Sequence, residues 1–171
     1  MFTMSEKIVL IDYGSGNVQS VKFALERLGY ASELTEDPST IGSADKVIFP
    51  GVGEAASAME ILKLKGLDKV ICELKQPVLG ICLGMQLMCG KNEEGDAQGL
   101  GIFDIEVKRF PNRVKVPQIG WNQLHLRHAD PLLDNVPDGA YAYFAHSYYC
   151  DAADPQSILA ALSQLSGAHI T

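Results

Sequence analysis

Apolar positions in the first hundred residues follow two alternating rhythms. KIVLID, residues 7–12, is a short β-branched run that ends at YGSGN. Beyond it Val18, Val21, Phe23, Ala24, Leu25 and Leu28 recur at helical spacing as far as Gly29. The same succession returns twice. KVIFP (46–50) is followed by the GVG turn and the helical stretches EAASAMEILKLKG and LDKVICELK, and PVLGI (77–81) by a further helical candidate. Strands that alternate with helices predict an α/β domain with a largely parallel sheet. After about residue 99 the rhythm changes. GIFDIEVKRF, VKVPQIGWNQLHL, YAYFAHSYYC and SILAALS read as strands separated by Pro, Asn, Asp and Gly, so the second half is expected to be β-rich and partly antiparallel. With no repeat, low-complexity tract or linker in view, a single domain is expected over residues 1–171.

Composition narrows the function classes. Apolar residues make up 47% and charged residues 20%, a globular profile rather than a disordered one. The net charge of -7, from 14 basic and 21 acidic residues, disfavours nucleic acid and anionic membranes as partners. No apolar stretch approaches the roughly 20 residues of a membrane span, and MFTMSEK lacks a signal-peptide core, so a cytoplasmic location is expected. Cysteines 72, 82, 89 and 150 form no C-x-x-C pair and are expected as free thiols. His125 and His128 in HLRH lack a third ligand and read as strand surface, and neither a metal nor an organic cofactor is expected. YGSGN resembles a phosphate turn but has Gln19 where the dinucleotide fingerprint needs its third glycine.

Cys82 stands apart from the other thiols. Gly80-Ile81-Cys82-Leu83-Gly84 is a G-x-C-x-G at a predicted strand-to-helix junction. Flanking glycines there admit a strained elbow that projects the central side chain and aims the next amide at a reacting carbonyl. The helix dipole also favours a thiolate at that place. Cys72, Cys89 and Cys150 have no such setting and read as core cysteines, the commoner fate of the residue; Cys72 sits on an amphipathic helix and Cys89 in the helix after the elbow.

GICLGMQLM resembles the nucleophile segment of class I glutamine amidotransferases. IDYGSGNVQSV, FPGVGEA, VPQIGWNQL and FAHSYY together are similar to the glutaminase subunits of imidazole glycerol phosphate synthases. The resemblance implies a flavodoxin-like fold, with a mostly parallel central sheet flanked by helices. It implies that Cys82 attacks the glutamine carboxamide, with Leu83 and Val52 supplying the two oxyanion amides. Gly53, Gln86, Glu94, Ser147 and Tyr148 would hold the substrate. Asn17, Pro117, Trp121 and Asn122 would face a cyclase subunit in a heterodimer. Core packing is the ordinary role for a lone tryptophan, and Gln118 stands where many relatives carry histidine.

The resemblance also implies a general-base histidine, oriented by an acid, within a late F-H-P-E segment. This sequence contains no such segment. His146 falls in the substrate-binding match and His169 lacks the following Pro-Glu, so neither inherits the role. This sequence is expected to lack the end of the family domain, and to bind glutamine analogues better than it hydrolyses glutamine.

Overall fold

The computed structural model describes residues 6–152, 154, 158 and 160–162. They form two compact units, one through Phe103 and one from Asp104.

The first unit is built on four parallel strands, β1 (Ile8–Ile11), β2 (Ser32–Thr35), β3 (Lys46–Gly51) and β4 (Val78–Cys82), in the order β2-β1-β3-β4. All four residues of β1 are buried, as a strand covered on both faces requires. Val9 and Ile11 join Val47 and Phe49 against α3 (Ala55–Leu64), α4 (Leu67–Glu73) and α5 (Leu83–Met88). Ile8, Leu10 and Ile48 face the other way, toward Val21 and Leu25 of α1 (Val18–Arg27). Each fully buried Leu or Phe in these layers contributes about 1.5–3 kcal/mol. Strand order and helix placement are those of the flavodoxin-like sheet.

Three short elements escape the sequence pattern. β2 reads SELT and is only partly buried, and α2 (Pro38–Gly42) is a five-residue helix. The Asp37 carboxylate caps α2; bonds from Ser39 and Thr40 hold its pKa down at about 2. β5 (Cys89–Asn92) pairs antiparallel with β6 (Ala97–Gln98) where a longer helix was expected, so Cys89 belongs to a strand. The helix stops because its later carbonyls are taken: Leu100 N–H donates to Leu87 O, Ile102 N–H to Met88 O and Gly101 N–H to Cys89 O.

The second unit is β-rich, as expected. β7 (Phe103–Arg109) pairs antiparallel with β10 (Tyr148–Asp151). β8 (Gln118–Leu126) pairs antiparallel with both β9 (Tyr141–His146) and β11 (Ala160–Leu162). Buried Phe110 gathers Val114, Val116, Leu124, Phe144 and Tyr149 around it.

Candidate active site

The carboxyl ends of β1, β3 and β4 lie along one edge of the parallel sheet, where open α/β folds bind ligands. The β3–β4 register sets Gly51 opposite Cys82. Cys82 has φ 53° and ψ −113°, a backbone state that costs a non-glycine residue about 1–3 kcal/mol. Packing enforces it. A Cβ on Gly84 would lie 1.7 Å from the Phe49 carbonyl oxygen, and one on Gly80 would lie 2.7 Å from the Met85 Cα. The G-x-C-x-G spacing is therefore a steric requirement of bringing α5 down onto β3. The thiol is exposed, as expected of an elbow. Leu83 opens α5 with its side chain buried, and its N–H is among the first-turn donors that a helix cannot use.

Beside this elbow runs the turn Pro50–Gly53. Val52 is half exposed and its carbonyl accepts a 2.5 Å bond from the Ser15 hydroxyl. Gly53 has φ 106° and faces open space, with Ser15 Oγ 4.0 Å from where a Cβ would stand. Gly51 is walled in: a Cβ there would meet Tyr13 Oη at 2.3 Å and Leu83 Cβ at 2.9 Å. The two glycines thus differ, one a packing requirement and the other a conformational one.

Gln86 is buried in α5, and its Oε1 accepts from Asn92 Nδ2 at 3.2 Å. Asn92, 1% exposed, in turn accepts the Glu94 N–H at 2.8 Å. A buried polar chain therefore joins the elbow helix to the acidic loop. Glu93 is exposed, whereas Glu94 is partly buried and accepts from the Ala55 N–H at the start of α3. Burial raises the Glu94 pKa, the Ala55 bond opposes that rise, and the charge on Glu54 adds to it.

The remaining thiols divide differently from expectation. Cys89 and Cys150 are buried as read, but Cys72 is exposed and not a core residue. It lies on the outer side of α4, with its sulfur 3.7 Å from the Leu100 carbonyl. Partial desolvation, with Asp68 and Glu73 nearby, raises the Cys72 pKa.

In the second unit Ser147 separates β9 from β10, and its carbonyl accepts from Phe110 N–H. His146 Nδ1 lies 3.0 Å from the Tyr148 carbonyl, and burial lowers the ring's pKa despite that bond. Trp121 is 63% exposed and meets Tyr143 edge-on at 5.6 Å, so core packing is not its role here. Pro117 follows a cis peptide bond, and Asn122 is buried, bonded to Gln118 and to the Gly120 carbonyl. In the first unit exposed Asn17 caps α1 through Ser20 N–H. His125 is exposed on β8, His169 lies outside the described residues, and no His/Cys/Asp/Glu group among the described residues is arranged to hold a metal.

The family model for glutamine amidotransferase class-I matches residues 9–169. The chain belongs to the class I glutamine amidotransferases. Imidazole glycerol phosphate synthase subunit HisH of Bacteroides fragilis (strain YCH46) is 50% identical over 151 residues, covering 86% of this chain and 76% of the relative. The Geobacillus sp. (strain WCH70) protein of the same name is 47% identical over 163 residues, covering 90% and 77%. A glutamine amidotransferase crystal structure superposes with TM-score 0.70 at 18% identity, covering 90% of this chain and 79% of that one. PurLQS from Thermotoga maritima gives 0.67 at 16%, covering 95% and 76%. These structures share the amidotransferase fold.

A class I glutamine amidotransferase needs a cysteine nucleophile and N–H donors aimed at its developing oxyanion. Sequence reasoning overlooked three residues around that constellation: Tyr13, Ser15 and Asn92. Asn92 carried a local signal, since Asn two residues before Glu94 fits an Asx turn. Tyr13 and Ser15 carried none, because only the fold brings the loop after β1 against the turn after β3.

Proposed function

We propose that this chain is the glutaminase subunit of an imidazole glycerol phosphate synthase. It hydrolyses glutamine to glutamate and ammonia and supplies the ammonia to a cyclase subunit, for imidazole glycerol phosphate and AICAR formation in histidine biosynthesis. The observation that carries this reading is 50% identity over 86% of the chain to a protein named as that synthase's HisH subunit. The Cys82 thiol gives its proton to a general base and attacks the carboxamide carbon, and the C–N bond breaks as that base returns the proton to the leaving ammonia. Water then hydrolyses the glutamyl thioester to glutamate. Leu83 and Val52 N–H groups receive the oxyanion in both steps, a contribution of about 3–4 kcal/mol per donor. Gly53 and Gln86 line the substrate position and Glu94 meets the substrate ammonium, while Ser147 and Tyr148 offer main-chain groups to its carboxylate. His146 is not assigned the general-base role: it falls in the substrate-binding match, and its Nδ1 is taken up by the Tyr148 carbonyl. Trp121, Pro117, Asn122 and Asn17 belong to the cyclase-facing surface of a cytoplasmic heterodimer, Asn122 by bracing its strand from within. The deciding assay is ammonia release from glutamine by the full-length protein with the cyclase and its nucleotide substrate; no release in that complex overturns the reading.

Gly53→Ala separates turn geometry from packing, since space is open there and only φ opposes the methyl group. Turnover is expected to fall at least about tenfold with a Tm loss of only about 2–4 °C. Parental turnover in the folded variant removes the turn from the mechanism. For Glu94 the sign follows from its raised pKa: as pH falls, the carboxylate that holds the ammonium is lost earlier than an ordinary glutamate would be. KM for glutamine should rise as pH falls, beginning above the ordinary glutamate range, and Glu94→Gln should show a high KM that no longer responds. A flat parental KM as pH falls takes Glu94 out of ammonium recognition.

A further inference from the structure

Asn92 closes β5 and is 1% exposed, although its carboxamide brings donors and an acceptor that a buried position has to satisfy. Both ends of that amide are used: Oδ1 accepts the Glu94 N–H at 2.8 Å, and Nδ2 donates to Gln86 Oε1 at 3.2 Å. The first bond admits one orientation only, because a backbone N–H can donate and cannot accept. It sets the Asn92 oxygen on the acidic loop and the nitrogen on α5, and that nitrogen in turn demands the oxygen of Gln86. An Asx turn needs only the Oδ1 bond, so the bond to Gln86 is an addition to the turn. What Gln86 has left is Nε2. This atom has no partner among the described residues, yet it is not one of their sealed, unpaired polar atoms, so it keeps access to a ligand. One backbone amide beside Glu94 thus decides, through two side chains, that α5 offers a donor one turn beyond Cys82.

We propose that Asn92 is a positioning residue of glutamine recognition: it holds the Gln86 amide so that Nε2 donates to an oxygen of the bound substrate. It does not touch glutamine itself. The inference rests on the glutaminase reading and deepens it, since it makes Gln86 selective for a ligand acceptor and ties that selectivity to the loop that carries Glu94.

Asn92→Asp tests it, being nearly isosteric and lacking only the donor. The carboxylate still accepts the Glu94 N–H, but it can only accept from Gln86 as well, so the Gln86 amide has to turn over and present Oε1. The assay uses the full-length protein with the cyclase at about pH 8, where two N–H bonds keep the new carboxyl ionised. KM for glutamine should rise about 10- to 100-fold, with kcat within about threefold of the parent. Labelling of Cys82 by a chloroketone analogue of glutamine should slow in proportion. Alkylation of the same thiol by iodoacetamide, followed at its own peptide by mass spectrometry, should keep its parental rate. In a Gln86→Ala background the substitution should change KM by less than about twofold, because Asn92 then has nothing to orient. A parental KM overturns the inference. So does a KM effect that persists in full without Gln86, or a fall in iodoacetamide reactivity, which would mean that the elbow itself is disturbed. Should Asn92→Asp fail to fold, Gln86→Glu replaces the donor by an acceptor with Asn92 Nδ2 still bonded; it should raise KM likewise, and a parental KM there overturns the inference equally. Each of these outcomes leaves the glutaminase reading standing. A parent that neither releases ammonia nor takes the chloroketone at Cys82 overturns both together.

Discussion

Cys82→Ala in the full-length complex is expected to lower glutamine turnover by at least about 10⁴-fold while glutamine still binds, because the acyl-transfer route loses its only covalent partner. Stability should move little. The alanine inherits the strained backbone at φ 53°, and Cys82→Gly, which that conformation suits, should be more stable than Cys82→Ala by about 1 kcal/mol. A diazo- or chloroketone analogue of glutamine should correspondingly label Cys82 ahead of the other three thiols. Cys89 and Cys150 are buried. Cys72 is reachable, but partial desolvation and its carboxylate neighbours Asp68 and Glu73 raise its pKa, which lowers its thiolate fraction and slows it. Equal labelling of Cys72 and Cys82 in the folded protein, or turnover surviving in Cys82→Ala, would falsify the nucleophile assignment.

The second large effect falls on folding. Gly84→Ala places a methyl carbon 1.7 Å from the Phe49 carbonyl oxygen and 2.7 Å from its carbon, both backbone atoms of a central strand. Neither yields as a flexible side chain would, so β3 and α5 must separate. Overpacking of this kind costs about 3 kcal/mol or more, a Tm loss of roughly 6–12 °C for a chain of this size. Gly42→Ala is the matched control: it stands in a short helix with nothing within 4 Å of the added carbon and should keep the parental Tm. A Gly84→Ala protein that melts with its parent means that the elbow is not packed as described.

The elbow was legible because its requirement is local. Two glycines around Cys82, after an apolar run and before helical spacing, state a strand-to-helix turn within five residues. The strands buried on both faces were legible for the same reason, each being a continuous apolar run. β2 was not, since SELT at the sheet edge needs little burial and shows no apolar run. The helix after the elbow was read too long because the competing partners of its carbonyls, residues 100–102, lie a dozen positions downstream. Cys72 was misread as core because an amphipathic pattern names a stripe, and its position falls just outside that stripe, between buried Ile71 and exposed Glu73. The Gln86–Asn92–Glu94 chain shows the intermediate case. Two of its members were visible as substrate candidates, but the asparagine that ties them is defined by burial that no short window displays.

Trp121 is the sole tryptophan of the chain, and it stands exposed against Tyr143. Its indole therefore emits as a water-exposed fluorophore with an adjacent tyrosine able to transfer excitation to it. Anything that seats on the β8–β9 face dehydrates that ring and moves its emission toward the blue. The protein carries its own optical gauge of docking, readable without label against any partner free of tryptophan at the contact.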